Sequence, residues 1–315
     1  MIEFYKTFGT ETKKVDTLET GCWINVVSPT EEEKQFLIND LGIVPEFVQA
    51  SLDEEESSHI DFDDDYNQTL VIVDYPSAEE TEGKYDKMTL QYTTLPLGIV
   101  LMKGYIITIS LYENLNIEDM ATGKVKGIHT EMKTRFLLKL LLRISQRYLI
   151  YLRQIDRLSS LTEQKLHKSM QNKELIQMLG LEKSLVYFST SLKTDEITLN
   201  KIMRGKSIKL YEDDQDLLED VLVEINQAIE MCSIYSNILS GTMDAYASVI
   251  SNNLNIVMKV LTVITIVMSI PNIIFSFYGM NVSGLPGPVW WVPTLIAVIA
   301  CVIASFIFMK KDMFH

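Results

Sequence analysis

The sequence predicts an α+β cytosolic domain followed by a long-helix stalk and a hairpin of two transmembrane helices. Three observations indicate this fold class. Short segments rich in β-branched and aromatic residues fill the first part of the chain. From Thr130 up to Pro271 the chain contains no proline, and its apolar residues recur with helical spacing. Finally, no Asp, Glu, Lys or Arg occurs between Lys259 and Lys310, in a chain of 315 residues with 28 basic and 42 acidic ones.

The N-terminal domain is predicted to contain several strands and a helix. Six segments have the composition of strands, namely IEFYKT, CWINVV, TLVIVDY, MTLQYTT, GIVLM and YIITIS. The sequence Ser28-Pro29-Thr30-Glu31 is typical of a helix start, with an N-cap hydroxyl, a proline in the first helical position and a reciprocal glutamate. We therefore expect a helix over Glu31 to Asp40.

Long helices are predicted after this domain. Segments 130–168 and 172–204 are rich in Leu, Lys, Gln and Glu, and we expect them to form an antiparallel pair. A further helical segment begins near Asp213 and continues without a break into the charge-free block. A helix from Asp213 to Phe277 is roughly 100 Å long at about 1.5 Å per residue.

Two segments of the charge-free block reach the ~20 apolar residues that a helix needs to cross ~30 Å of hydrocarbon. They run from about Ile256 to Phe277 and from about Val289 to Met309. The turn between them contains four helix-breaking residues, Gly284, Pro286, Gly287 and Pro288. Because the turn is so short, the two segments are predicted to form a hairpin whose outer ends face the same side of the membrane.

Charges near the two spans predict how the hairpin is oriented. Lys259 lies at one outer end and Lys310 and Lys311 at the other, whereas the turn has no basic residue. Basic residues flanking a span favour the cytoplasmic side, so both termini are predicted to be cytoplasmic. Trp290 and Trp291 begin the second span, where indole rings favour the membrane interface.

One face of the first span carries most of its polar residues. Positions on this face alternate at spacings of three and four residues: Asn255, Met258, Thr262, Thr265, Ser269, Asn272 and Ser276. Polar groups in hydrocarbon turn toward a partner helix or a water-filled path. Two interpretations stay open for the hydroxyl residues, close helix packing or the lining of a pore. A pore requires several copies of the chain around an axis, because one helix face cannot enclose it.

Composition excludes several other classes of protein. The net charge of −14 argues against a nucleic-acid-binding protein, which needs a basic face. Three widely separated cysteines give neither a disulfide framework nor a Cys-x-x-Cys metal site. The chain has no phosphate-binding glycine loop and no nucleophile elbow, so we expect no enzyme. A membrane-anchored sensing or interaction protein remains an alternative to a transporter.

The motif Tyr278-Gly279-Met280-Asn281 follows the first span, before a short turn and a second span with a basic tail. In this arrangement the chain resembles the CorA family of magnesium transporters. The segments NIVMKVLT and LEKSLVYF and the acidic N-terminal region add to the resemblance, which covers essentially the whole chain. The resemblance implies a funnel-shaped homopentamer in which the first spans line the pore.

The resemblance also implies roles for individual residues of the pore. Asn281 is expected to face the axis at the extracellular entrance, on a turn shaped by Gly279 and Met280. Asn255 is expected at a polar constriction, with Met258 and Leu261 at an apolar gate. Mg²⁺ releases its water reluctantly and prefers oxygen ligands, so amide and carbonyl oxygens suit the hydrated ion.

Regulation by cytosolic Mg²⁺ between subunits is likewise implied by the resemblance. Members of the family carry a regulatory carboxylate on the stalk helix. Counting back from Asn255 without a gap places it at Asp220, which also continues the heptad phase of the polar face. The second carboxylate of this implied site, on the N-terminal domain, has no exact match in the sequence, and Asp53 or Glu54 is its approximate equivalent. An ordinary exposed helix carboxylate is the alternative interpretation of Asp220.

The expected function is a passive, potential-driven Mg²⁺ channel of the plasma or inner membrane, with Mg²⁺ as both cargo and regulator. Alternatives are transport of Co²⁺, Ni²⁺ or Zn²⁺ on the same fold, or a non-conducting membrane anchor. Expected partners are further copies of the chain, lipid and divalent ions. The predicted domains are 1–125 (α/β), 126–210 (helical pair), 211–255 (stalk), 256–278 (first span), 279–288 (extracellular turn), 289–309 (second span) and 310–315 (basic tail).

Overall fold

The computed structural model describes residues 1–83, 86–169, 172–205, 208–281, 286 and 289–310. The chain divides into two compact units, Met1–Ser240 and Gly241–His315. The turn residues 282–285, 287 and 288 and the tail residues 311–315, which include Lys311, lie outside the described residues. The predictions of the extracellular turn and of the basic tail therefore fall largely on parts of the chain that are not described.

The first unit is built on a sheet whose seven strands, among the described residues, lie in the order β2-β1-β3-β7-β6-β5-β4. The strands are β1 Ile2–Phe8, β2 Glu11–Val15, β3 Trp23–Val27, β4 His59–Asp63, β5 Gln68–Gly83, β6 Asp86–Met102 and β7 Tyr105–Ser110. Only the pair β3–β7 is parallel; every other pairing in this sheet is antiparallel. The short helices α1 Glu31–Gln35, α2 Pro45–Ala50 and α3 Leu115–Ala121 occupy the connections.

Alternating side chains of the central strands build the core. Ile24 of β3 packs with Ile72, Val100 and Ile107 beneath α2 and the turn Phe36–Asp40. Its neighbour Trp23 points the other way, because successive side chains of a strand face opposite sides. Trp23 is fully buried and stacks on Tyr5 at 4.8 Å between ring centroids; its ring lies 5.0 Å from that of Phe136.

Phe136 belongs to α4 (Lys133–Ser169), which packs against α5 (Asn172–Met203). Three aromatic rings join these helices to the sheet. Phe188 of α5 meets Tyr148 of α4 edge-on at 5.1 Å and Tyr92 of β6 at 6.2 Å. Edge-to-face pairs at these separations are favourable beyond the apolar area they bury. The ends of α4 and α5 lie within three residues of the predicted segments 130–168 and 172–204, which confirms both helices.

Some local predictions need correction. The predicted strands MTLQYTT and GIVLM belong to one continuous strand, β6, which pairs with β5 over most of its length. The short strands β2 and β4 were not predicted, since each has only five residues, two or three of them charged. The predicted helix over Glu31 to Asp40 is α-helical only to Gln35 and continues as a π-helical turn, Phe36–Asp40.

The cap of α1 also lies two residues later than predicted. Thr30, not Ser28, is the N-cap: its hydroxyl accepts a hydrogen bond from the Glu33 amide, and the Glu33 carboxylate accepts one from the Thr30 amide. Ser28 instead adopts a positive φ of 43°. The reciprocal pair is the capping box expected for this sequence type, shifted along the chain.

Two helices carry the charge-free block. Helix α6 extends over Glu212–Tyr278, 67 residues without a break, as predicted for Asp213 to Phe277. Helix α7 extends over Trp291–Lys310. Both are long and apolar enough to cross a membrane.

Candidate ion-conduction site

The apolar part of α6 lies against α7 along one face. Val263 of α6 and Ala297 of α7 are only 1% and 3% exposed. The half-buried or buried side chains on this face of α6 recur at spacings of three and four: Ile256, Val260, Val263, Val267, Ile270 and Ile274. Small residues such as Ala297 and Cys301 on α7 allow the close backbone approach that is typical of helices packed in lipid.

Cys301 binds a carbonyl that Pro271 leaves without its helical partner. Proline has no amide hydrogen, so the carbonyl four residues earlier, that of Val267, cannot receive the usual α-helical bond. The Cys301 thiol donates to this carbonyl oxygen at 3.6 Å. Sequence alone does not indicate that a thiol of the second helix binds this carbonyl.

The polar face of α6 points away from α7. Each of its residues from Met258 to Ser276 follows a residue of the α7-facing set by two positions. Two residues turn an α-helix by about 200°, so the two faces lie on opposite sides. Most of the polar face is solvent-exposed in the single chain, with Ser269 half-buried. Packing against α7 within one chain therefore does not account for these polar residues.

Hydroxyls and amides on this face differ in how they are satisfied. The hydroxyls of Thr262, Thr265 and Ser269 donate to the carbonyl four residues earlier in α6, at 2.7 to 2.8 Å. Such bonds let Ser and Thr lie in an apolar environment at low cost. The exposed amides of Asn255 and Asn272 have no hydrogen-bond partner within the part of the chain that the structure describes. They are free to bind water, an ion or a neighbouring copy.

The predicted entrance residues lie just after the end of α6. Tyr278 is the last helical residue, and its hydroxyl donates to the carbonyl of Pro286 at 3.1 Å. Gly279 closes the helix through a 2.9 Å bond to the Phe275 carbonyl. Met280 and Asn281 follow, both exposed. The Tyr278–Pro286 bond was not predicted, and it ties the motif to the turn that follows it.

The predicted regulatory carboxylates are exposed and separate. Asp220 lies on the exposed side of α6, next to the fully buried Val221. Asp53 accepts a hydrogen bond from the Glu55 amide at 3.0 Å, and Glu54 accepts one from the Tyr112 hydroxyl at 2.5 Å. Within the described residues, no three His, Cys, Asp or Glu side chains form a group that could hold a metal ion.

A family model described as CorA-like Mg²⁺ transporter protein matches residues 19–311. The chain belongs to the CorA family. Its sequence is 28% identical to a cobalt/magnesium transport protein CorA of Methanocaldococcus jannaschii, over 92% of this chain and 90% of that protein. It is 21% identical to the cobalt/magnesium transport protein CorA of Thermotoga maritima, over 93% of this chain and 83% of that one.

The structure matches the same family. The complete structure of the CorA magnesium transporter from M. jannaschii aligns with a TM-score of 0.82 and 26% identity, over 99% of this chain and 98% of that chain. The full-length CmaX protein shares the fold at a TM-score of 0.68 and 16% identity. The CorA fold of this chain thus comprises a soluble α/β domain, a long helix and a C-terminal apolar helix. The CorA relatives are named as transport proteins, in agreement with the expectation that the chain is not an enzyme.

Proposed function

We propose that this CorA-family chain is a subunit of a Mg²⁺ channel that takes up the ion passively across the plasma or inner membrane. The observation that carries the proposal is the position of the polar face of α6, turned about 200° away from α7. A transmembrane helix that only anchored a soluble domain would have no need for two amides in phase with hydroxyls on its exposed side.

The pore forms when several copies bring these faces together around an axis. A closed ring of identical subunits is the usual solution for such an assembly. The resemblance to the family supports five copies in a funnel, with α6 inside and α7 outside. In this arrangement Asn281 lies at the entrance and Asn255 at the inner constriction, with Met258 and Leu261 as an apolar gate that closes by dewetting.

Uptake needs no ATP, because the membrane potential drives the ion inward. Moving one charge through 100 mV is worth about 2.3 kcal/mol, so a divalent ion gains about 4.6 kcal/mol. Both chain termini then lie in the cytoplasm, as supported by Lys259 and Lys310 at the outer ends of the hairpin. Lipid covers the exposed apolar side chains of the outer helix α7, among them Val302, Phe306 and Met309, each about two-thirds exposed.

Cytosolic Mg²⁺ closes the channel by binding between adjacent subunits. Asp220 supplies one carboxylate and Asp53 or Glu54 of a neighbouring copy supplies another. Ions that bind only the closed assembly shift the equilibrium toward it. Proteolysis tests this role, since Mg²⁺ should protect the wild-type protein and protect Asp220→Asn less. Equal protection of both proteins would remove Asp220 from the sensor.

Ion flux into liposomes tests the function itself. The purified full chain is reconstituted, a negative internal potential is imposed, and Mg²⁺ entry is followed with an internal indicator. Asn281→Ala should abolish uptake while assembly, measured by size-exclusion chromatography, stays intact. Asn272→Leu should reduce uptake strongly, whereas its neighbour Ile273→Leu is the matched control and should not. A wild-type protein that passes no ion would favour a membrane anchor instead.

Transport of Co²⁺ is the second candidate function, because two of the relatives are named as cobalt/magnesium transport proteins. Competition among Mg²⁺, Co²⁺, Ni²⁺ and Zn²⁺ in the same liposomes decides between them. A preference for Co²⁺ over Mg²⁺ would assign the chain to the second function.

A further inference from the structure

A cavity of about 260 Å³ lies between α4 and the loop that follows α3. Lys124 and Lys126 line it from the loop, and Lys139, Arg143 and Gln146 from α4. The three α4 residues are spaced by four and three, which places them on one side of the helix. We call this the basic cavity.

Positive charge in the basic cavity exceeds the negative charge beside it. The lining contains four basic side chains and no acidic one. The neighbouring carboxylate is Asp119, which is only 4% exposed. It accepts hydrogen bonds from Lys124 at 2.9 Å, from Arg143 at 2.6 and 3.0 Å, and from Arg147. One carboxylate therefore faces three cations.

Asp119 stays ionised in this arrangement. Burial raises its pKa, but the hydrogen bonds and positive charges of Lys124, Arg143 and Arg147 outweigh burial and lower the pKa overall. Its single negative charge is thus fully engaged. Arg143 has five donor hydrogens and uses two of its nitrogens to bind Asp119, so its remaining N–H groups can donate to a ligand.

Two lysines of the cavity are left without a carboxylate. These are Lys126 and Lys139, neither of which forms an ion pair with an acid of the described residues. The Lys139 ammonium instead donates to the backbone carbonyl of Lys126 at 3.3 Å. The surrounding sequence is exceptional for this chain: residues 124–147 contain seven Lys or Arg and a single acid, Glu131, although the whole chain carries −14. Like charges held together in a concave site repel each other unless an anion binds between them.

We propose that the basic cavity binds a multiply charged phosphate group, such as a diphosphate. Phosphate oxygens accept from lysine as a point charge and from the planar arginine fork, both present here. The cavity of about 260 Å³ has room for two linked phosphate groups. The shared chemistry is a phosphate ester or anhydride, from a soluble metabolite or from a lipid headgroup.

Calorimetry on the full chain in nanodiscs of phosphatidylcholine tests the site, with EDTA present to remove divalent ions. One probe is inorganic pyrophosphate and the other is a short-chain phosphatidic acid below its micelle concentration. The double variant Lys126→Gln/Lys139→Gln should weaken binding at least tenfold. It leaves Arg143 and the bonds to Asp119 in place, so the fold should persist, and circular dichroism checks this.

The matched control is Lys13→Gln/Lys14→Gln, which removes the same charge from β2. Pyrophosphate binding that depends on the cavity lysines supports a soluble ligand, whereas dependence seen only with phosphatidic acid supports a lipid headgroup. Absence of binding for both probes, or equal weakening by the two double variants, overturns the proposal. The readout is independent of ion transport.

Discussion

Asp195 of α5 accepts a hydrogen bond at 3.0 Å from the backbone amide of Asp74 in β5, which brings two carboxyl groups together inside the first unit. The groups that face this pair are hydroxyls: Ser58 donates to Asp195 at 2.6 Å, Ser191 binds Asp74, and Tyr148 donates to the Asp74 carbonyl at 3.2 Å. Burial raises the pKa of both carboxyls, and the charge of Asp74 raises that of Asp195 further. The folded chain therefore holds a proton at this pair that the unfolded chain releases.

Stability should consequently fall with rising pH at this pair. The folded pKa is above the ordinary value of about 3.9, so the folded state binds more protons between the two values, and stability is lost as pH rises through the folded pKa. Asp195→Asn keeps an acceptor for Ser58 but removes the ionisation. We expect the variant to gain stability relative to wild type as pH rises from 5 to 9.

Urea unfolding followed by the fluorescence of the buried Trp23 measures this effect, in a background with Trp290→Phe and Trp291→Phe. Asp156→Asn is the control, because Asp156 is an exposed carboxylate of α4. If the difference in unfolding free energy between Asp195→Asn and wild type did not change with pH, the carboxyl pair would not hold a proton in the folded chain.

Asp119 should show the opposite pH dependence. Its pKa is lowered in the folded chain, so its contribution is present above about pH 4 and is lost as pH falls through the folded pKa. Asp119→Asn leaves three cations without their carboxylate and should cost about 3 to 5 kcal/mol of unfolding free energy at pH 7. The cost should shrink in acid. An equal cost at pH 3 and pH 7 would show that packing, not charge, dominates.

Gly98 of β6 lies against Ser51, the residue that follows α2. A Cβ added at Gly98 would come within 1.9 Å of Ser51 Oγ and 3.2 Å of its Cα. Gly98→Ala should therefore destabilise the fold by about 1 to 3 kcal/mol or more, as overpacked cores do. Adding Ser51→Gly should recover part of the loss in urea unfolding.

Gly180 of α5 provides the contrast for Gly98. A Cβ there meets no atom within 4 Å, and the residue is helical. Gly180→Ala should stabilise the chain by about 0.5 to 1 kcal/mol, since glycine is a poor helix former. If both alanine variants were equally stable, the contact between Gly98 and Ser51 would be unimportant.

Thiol labelling tests whether the polar face of α6 is wet in the assembled membrane protein. A charged, water-soluble reagent should modify Asn272→Cys and Ser269→Cys but not Ile273→Cys, which lies off the polar face of α6. The background carries Cys301→Ser, while Cys22 and Cys232 are buried. Labelling of Ile273→Cys in preference to Asn272→Cys would turn the polar face toward lipid and contradict a pore.

Local patterns predicted the elements that are long or strongly periodic. Helix α6 was located to within one residue at each end, because loop residues bound it and it contains only one glycine and one proline, Gly241 and Pro271. Short elements were harder: β2 and β4 are the two edge strands, each only five residues long, and their charged residues obscure the apolar pattern of a strand. The cap of α1 moved from Ser28 to Thr30 because each candidate has a hydroxyl and a glutamate three residues later, Glu31 or Glu33, so the local pattern fits both.

The sequence by itself determined the two apolar helices, the polar face of α6 and the family motif at Tyr278 to Asn281, since each depends on residues close together in the chain. Three contacts were decided by tertiary structure alone. Asp195 binds the amide of Asp74, 121 positions earlier, and Asp119 binds both Arg143 and Arg147. Cys301 donates to the Val267 carbonyl, which has no helical partner because of Pro271. Such contacts depend on how helices pack on the sheet and on each other. Spacing along one segment carries no information about them, because the partners come from different elements.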